Sequence, residues 1–363
     1  MTIRRGKIAA CVAGLLLALP PLCEATLKGE CSNCHTMHNS QQGTLVAFSR
    51  DSSGRQVLQI TPYNMLLKTD CIGCHSDPGS ETIVTKGETQ IPIVFNLSEP
   101  IYPPDGSSSS SLAGGNFHWV VRTGDAYGHN VFGLSGQDSR FAQAPGDTVV
   151  DECATCHRTL ATAQGGCTGC HVPQHHAGGP GLVAGRTHGW YRFLGSVMQR
   201  SGQTLTAQGV VGIEDPEWEQ KVLPTRHNTY KGSTTPGGSY LDTGSINQKC
   251  TGCHGRFHNE TVANSVWIRH PVDVAIPDSG EFTGLTTYDP RAPVARWTVT
   301  DADANFSSVT RGSDLVSCVS CHRPHGSPYP ALLRWNYRAW PGIDPQTGNP
   351  AVNGCAVCHT AKG

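Results

Sequence analysis

Long apolar runs are almost absent from this chain. Residues 8–22 (IAACVAGLLLALPPL) form one short apolar segment behind the basic stretch MTIRRGK, and no later run approaches membrane-spanning length. Apolar residues make up only 37% of the total, against 42 glycines and 24 prolines. That composition leaves too little for a large aliphatic core and disfavours long helices and strands. Charge of one sign is also missing. With 27 basic against 28 acidic residues, nothing points to nucleic-acid binding. Methionine is scarce, with only Met37, Met65 and Met198 beyond the N-terminal segment.

The N-terminal segment itself reads as a secretory signal, residues 1–25, with the cut expected after Cys23-Glu24-Ala25. A lipoprotein cut before Cys23 is the competing reading, and Pro20, Pro21 and Leu22 suit it poorly. Export, or an outer-surface or periplasmic location, follows as an expectation.

What the chain does have is cysteine and histidine. Of 16 cysteines, fourteen fall into seven Cys-x-x-Cys-His units. These are Cys31/Cys34/His35, Cys71/Cys74/His75, Cys153/Cys156/His157, Cys167/Cys170/His171, Cys250/Cys253/His254, Cys318/Cys321/His322 and Cys355/Cys358/His359. The unit is the attachment signal of c-type haem. Cysteines three apart share one face of a helical turn, so both thiols can reach the vinyl groups of one porphyrin. The histidine that follows can then turn onto the iron as the proximal ligand. A zinc knuckle or redox dithiol uses Cys-x-x-Cys too, but neither requires a histidine after every pair. Seven covalent haems would replace the missing aliphatic interior, and folding should then depend on their attachment.

Each iron has a sixth position. Ten histidines remain after the seven proximal ones: His38, His118, His129, His175, His176, His188, His227, His258, His270 and His325. Bis-histidine ligation throughout is the economical expectation, and it lowers potentials relative to Met/His haems. The predicted distal set is His38, His129, His175, His176, His227, His258, His270 and His325. At least one of His175 and His176 should bind. His118, in the strand expected over Phe117–Arg122, and His188, in a Gly-rich turn, rank lower. His38, His175, His176, His258 and His325 follow a proximal histidine too closely to reach round its haem. Each should ligate a neighbouring haem, which gives a close-spaced array.

The fold class expected is a multihaem cytochrome c, mostly irregular coil with short helices and a few short strands around a haem-packed core. Residues 26–363 should form a single unit. Short strands are expected at Thr82–Thr85 and Ile91–Phe95, a solvated loop at Ser107–Ser111, and a short helix over Pro330–Trp340. The aromatics Trp190, Tyr191, Phe193 and Trp218 should pack on porphyrin faces.

Several stretches carry a resemblance: Cys31-Ser-Asn-Cys-His-Thr-Met-His-Asn-Ser40, Gly128-His-Asn130, Phe257-His-Asn259, Arg269-His-Pro271 and Cys318-Val-Ser-Cys-His-Arg-Pro-His-Gly326. The chain resembles the outer-surface multihaem c-type cytochromes of metal-reducing bacteria, of the OmcS type, which polymerise into filaments. The resemblance implies that His38 is given in trans to a haem of the next subunit. It also implies that His129, His270 and His325 are distal ligands within the subunit. It implies as partners further copies of this chain, other multihaem cytochromes and extracellular acceptors such as metal oxides. One departure is plain: this chain has seven sites where that type has six, the additional one falling in the central pair at Cys153–His176. Electron conduction is thus the leading functional expectation, with no catalytic residue. A monomeric relay is the first alternative. A reductase of a small nitrogen oxyanion is the second, and it requires an open iron.

Overall fold

The computed structural model describes residues 35–50, 56–62, 66–68, 71–87, 89–102, 111–131, 134–136, 182–183, 210–221, 223–233, 244–254, 270–345, 348 and 350–361. Within them secondary structure is short. The longest helix is Ile246–His254, nine residues, and no described strand exceeds four residues. None of the described helices is long and apolar enough to cross a membrane.

Strands pair locally. Ser40–Gln41 pairs with Thr44–Leu45, Phe48–Arg50 with Gln56–Leu58, and Ile83–Lys86 with Thr89–Pro92, all antiparallel. Ser76–Asp77 runs parallel to Phe95–Asn96. One four-stranded sheet has the order Ala295–Arg296, Thr229–Lys231, Gly212–Ile213, Leu182–Val183. The strand expected at Thr82–Thr85 is present one residue later, as Ile83–Lys86, whereas Ile91–Phe95 is broken at Ile93–Val94 and shared between Thr89–Pro92 and Phe95–Asn96. Ser111 and Leu112, at the edge of the serine run, are buried; Ser107–Ser110 lie outside the described residues.

Two expectations are corrected. Phe117–Arg122 is not a strand: His118–Thr123 is a helix. The Val120–Val121 pair favours extended chain, but the Asn116 side chain accepts the His118 N–H at 2.9 Å, which starts a helix. Gly124, at φ 124°, ends it. Over Pro330–Trp340 only a 3-10 turn forms, Pro330–Leu332, because Ala331 turns left-handed at φ 60°.

The apolar core is split into small clusters. Val210, Tyr230, Ile246, Ala295, Leu315 and Val319 form one, and Ile276, Leu285, Tyr288, Val294, Phe306 and Val309 another. Two clusters of three residues centre on Trp119 and on Phe117. Between them, buried asparagines bind the irregular backbone that has no ladder to join. The amide offers donors and acceptors together. Asn39 donates to the carbonyls of Gln59 and Thr61 and accepts from the Val46 and Ala47 N–H groups. Asn96 donates to Gly79 and Glu81. Asn247 donates to Asp273 at 2.6 Å and accepts from the Cys318 N–H at 2.7 Å.

Three segments meet backbone to backbone near His129 and His325. Asn116 N–H donates to Gly326, His325 N–H to Gly114, and Ser327 N–H to Tyr127. Gly115 sits at φ 83°, and a Cβ there would collide with the Gly326 carbonyl. Gly115→Ala combines left-handed strain with a backbone clash. It is expected to cost about 3 kcal/mol, read as a lower guanidinium midpoint of the holoprotein. An unchanged midpoint would refute this account of the junction.

Candidate functional site

Four Cys-x-x-Cys pairs lie on described backbone, and each is on a helical turn: Cys71–Cys74, Ile246–His254, Cys318–Cys321 and Gly354–Cys358. Cys250 and Cys253 are both carried by the second of these, one turn apart. The turns are started by polar residues just ahead of them. Ser317 and Ser320 form a capping box, Asn353 accepts from the Cys355 and Ala356 N–H groups, and the Ser245 hydroxyl accepts from Asn247 N–H. The histidine is then placed by one repeated bond. His75, His322 and His359 each donate their backbone N–H to the carbonyl of the first cysteine of their own motif, at 2.8, 3.0 and 2.9 Å.

The rings are oriented through Nδ1. His35 donates to the Leu66 carbonyl at 3.2 Å, His75 to Pro92 at 2.8 Å and His322 to Ala331 at 2.7 Å. His359 meets the Glu281 carboxylate at 2.8 Å. Fixing the proton on Nδ1 leaves the Nε2 lone pair for a metal. Burial holds the His75 imidazole below its ordinary pKa, against the upward pull of the Pro92 carbonyl, which favours the neutral, ligating form. Three further histidines carry the same restraint. His129 donates to Pro324 at 2.6 Å, His270 to Pro271 at 2.9 Å, and His118 to Asn96 at 2.9 Å.

Two ring pairs face each other. His129 and His254 have centroids 5.9 Å apart at 60°, and His270 and His359 are 6.1 Å apart at 89°. Two imidazoles on opposite sides of one iron, each through a bond of about 2 Å, put their ring centres about 6 Å apart. Each facing pair joins a proximal histidine to one expected as distal. His325 stacks on Phe117 at 4.7 Å. Its ring lies where a Cβ on Gly114 would touch it, so glycine admits it.

His227 is packed differently from the other predicted ligands. It is 1% exposed, its Nδ1 is bonded to the Asn228 carbonyl and its Nε2 to the Phe306 carbonyl, and the ring stacks on Tyr288 at 3.5 Å. Both nitrogens lie within hydrogen-bond distance of backbone carbonyls, so this ring ties two loops together. His118, ranked low because its segment read as a strand, has the orientation His227 lacks.

His38 lies at a tight turn between Met37 and Ser40, with φ values of 52° at His38 and 74° at Asn39. Asn39 is buried and saturated, while His38 is exposed beside Met37, itself 74% exposed. The turn thus sinks one side chain and projects its neighbour. Cys31, Cys34, Cys153, Cys156, His157, Cys167, Cys170, His171, His175, His176, His188 and His258 lie outside the described residues, as do the leader and Trp190, Tyr191 and Phe193. Cys253 is placed by its backbone alone, on the Ile246–His254 helix. Its side chain, expected to make the second thioether beside Cys250, also falls outside what is described.

The attachment sites crowd together. The Cys318 thiol donates to Cys250, and that bond together with burial raises Cys318 well above its usual pKa. Burial, helped by the neighbouring Cys355 and Cys358, pushes Cys321 up to about 12, and burial lifts Cys358 to about 11. Cys318, Cys321 and Cys358 sit in surroundings that favour an uncharged state, which a thioether has, while the bond from Cys318 pulls Cys250 the other way. Among the described residues, no group of three His, Cys, Asp or Glu side chains is placed to hold a bare metal ion, as a zinc site requires.

The fit to porphyrin has its own marks. A cleft of about 210 Å³ opens between Asn353, Cys355, Ala356 and His359. Arg334 is buried beside the Cys318–Cys321 turn, with Nε donating to Val319 and Nη1 to Pro290, while its Nη2 has no partner. A buried guanidinium with an unsatisfied donor fits the carboxylate of a haem propionate.

Helical Cys-x-x-Cys turns, Nδ1-anchored histidines and facing imidazoles in a coil-rich frame define a multihaem c-type cytochrome fold. The comparisons agree. Residues 309–363 match the family described as the doubled CXXCH motif. The C-type cytochrome OmcS of Geobacter sulfurreducens is 25% identical over 401 aligned positions, covering 91% of this chain and 84% of that one. The outer membrane cytochrome S filament from the same organism superposes with a TM-score of 0.53 at 19% identity, covering 93% of this chain and 100% of that one. A cryo-EM structure of OmcS nanowires gives 0.50 at 19% identity, covering 91% of this chain and 93% of that one. At that identity the structures show a shared fold.

Proposed function

We propose that this chain conducts electrons outside the cell through seven covalent c-type haems, one at each Cys-x-x-Cys-His unit. In this reading residues 26–363 act as one exported unit, and copies join into a filament through His38. The carrying observation is the pair of facing rings, His129 with His254 and His270 with His359. Both axial places filled by imidazole leave nowhere for a substrate, and iron in such a cage changes oxidation state with little rearrangement. The residues anchor, orient and shield. Cysteines fix the porphyrin edge, Nδ1 acceptors aim the imidazoles, and Arg334 receives a propionate. The distal set we favour is His38 from a second copy, His129, one of His175 and His176, His258, His270, His325, and His118 in place of His227. The similarity to OmcS, whose solved form is a filament, supports the polymer.

Carbon monoxide tests the cage. The reduced wild-type filament should bind none, while His129→Ala should take up carbon monoxide at about one haem in seven. His227→Ala should bind none and His118→Ala should open one site. Uptake by His227→Ala with none by His118→Ala overturns the reassignment. Substantial uptake by the wild type overturns the conduit reading in favour of a reductase.

A further inference from the structure

The rings at the attachment sites are not anchored alike. His35, His75 and His322 donate Nδ1–H to neutral backbone carbonyls. His359 instead meets the Oε1 of Glu281 at 2.8 Å, 78 residues away in sequence. Both side chains are partly shielded, 25% and 22% exposed, so water competes only partly for the contact.

The backbone that carries this carboxylate is held by two donors. The Glu281 carbonyl accepts from the Thr360 hydroxyl at 2.7 Å and from the Ala361 N–H at 3.2 Å. The Thr360 hydroxyl in turn accepts from Gly284 N–H at 3.0 Å. The two residues that follow His359 are therefore fastened to the backbone of the residue whose side chain touches the ring. Phe282, next in the same 3-10 turn, lies 4.9 Å from the His359 ring and closes another side. Gly280, at φ 68°, makes the turn. The His270 ring lies 6.1 Å from that of His359, with its own Nδ1 on the Pro271 carbonyl.

We infer that Glu281 is a positioning and tuning residue for the haem at Cys355–His359, shifting that haem toward its ferric state. The inference rests on the haem reading above. A carboxylate accepting from Nδ1–H draws the proton away from the ring and makes Nε2 a stronger donor. It also sets a negative charge near the iron. Both effects stabilise Fe(III) over Fe(II), so the potential falls. A backbone carbonyl does the first weakly and the second not at all. The C-terminal haem is thereby set below what it would have with a neutral acceptor, by a residue that never touches the iron.

Glu281→Gln keeps a hydrogen-bond acceptor of the same length and removes the charge. Spectroelectrochemical titration of the holoprotein should show one haem in seven becoming easier to reduce by about tenfold, which is about 59 mV for one electron. The other six should stay where they are, and Glu281→Asp should restore part of the shift. An unchanged titration in Glu281→Gln that remains fully low-spin overturns the inference. The wild type supplies a measurement that needs no variant. The near-infrared charge-transfer spectrum of the ferric protein should contain a component of imidazolate character, about one haem in seven, and its absence also overturns the inference. Failure of the underlying reading looks different: mass spectrometry of the C-terminal peptide would then show no porphyrin on Cys355 and Cys358.

Discussion

His38→Ala protein is expected to leave the cell as single subunits, with no filaments in negative-stain images. Each subunit should still carry its full set of haems and should bind carbon monoxide at one iron. The argument begins with the turn at 37–40. Asn39 spends its whole amide on four backbone groups, so the turn is rigid. His38 points outward from it and is exposed. It cannot reach round the haem of His35, three residues earlier, so a second copy is the partner we propose. Removing one imidazole then removes a coordination bond from every junction at once. A non-covalent contact that loses its central bond weakens by several tenfold steps, enough to dissolve a polymer at secretion concentrations. Filaments of normal length from His38→Ala would eliminate the trans ligand, and carbon monoxide binding would then say whether His38 ligates at all.

The second large effect concerns folding. Chain exported into cells that lack haem attachment is expected to be unfolded and degraded. Purified under reducing conditions, it should show a random-coil far-ultraviolet spectrum. The described apolar clusters hold three to six residues each. Each separately buries too little to offset the entropy of ordering long irregular segments. Several buried groups also lack partners: the Arg334 Nη2, the Trp335 Nε1 and the Arg311 Nε among them. A buried cation without an anion disfavours the folded chain. In the proposed holoprotein, porphyrin supplies the apolar plate and, for Arg334, a carboxylate. The holoprotein should weigh about seven porphyrins more than the bare chain. A folded apoprotein with native-like dispersion would remove this explanation for the meagre core.

The anchoring chemistry was legible because it is local. Cys-x-x-Cys-His fixes a helical turn and the residue after it, whatever the rest of the chain does, and the four described pairs, Cys250 with Cys253 included, have that turn. Facing partners were less legible. His270 and His359 are 89 positions apart along the chain, and only the fold brings them to 6.1 Å. His129 stands in Gly128-His-Asn130, where glycine lets the backbone run against Val120 and the His325 carbonyl. His118 was misplaced for a definite reason. Two adjacent valines favoured a strand, while the deciding signal was one side-chain bond from Asn116. His227 is the opposite case. It entered the distal set as one of ten spare histidines, and the carbonyls near both its nitrogens come from loops no local pattern reveals. Glu281 was silent too, since nothing in Gly280-Glu-Phe282 announces that it will meet the last histidine motif.

Asn247 reaches Asp273 with one end and the Cys318 backbone with the other, and the helix that bears it also bears Cys250. One buried amide therefore fixes the gap between two anchoring points as firmly as a strut in a truss. Tunnelling falls off exponentially with separation, so any breathing at that junction would spread the hopping times over decades. In the conduit proposed above, a spacing set by a short, buried bond would keep that step uniform from molecule to molecule.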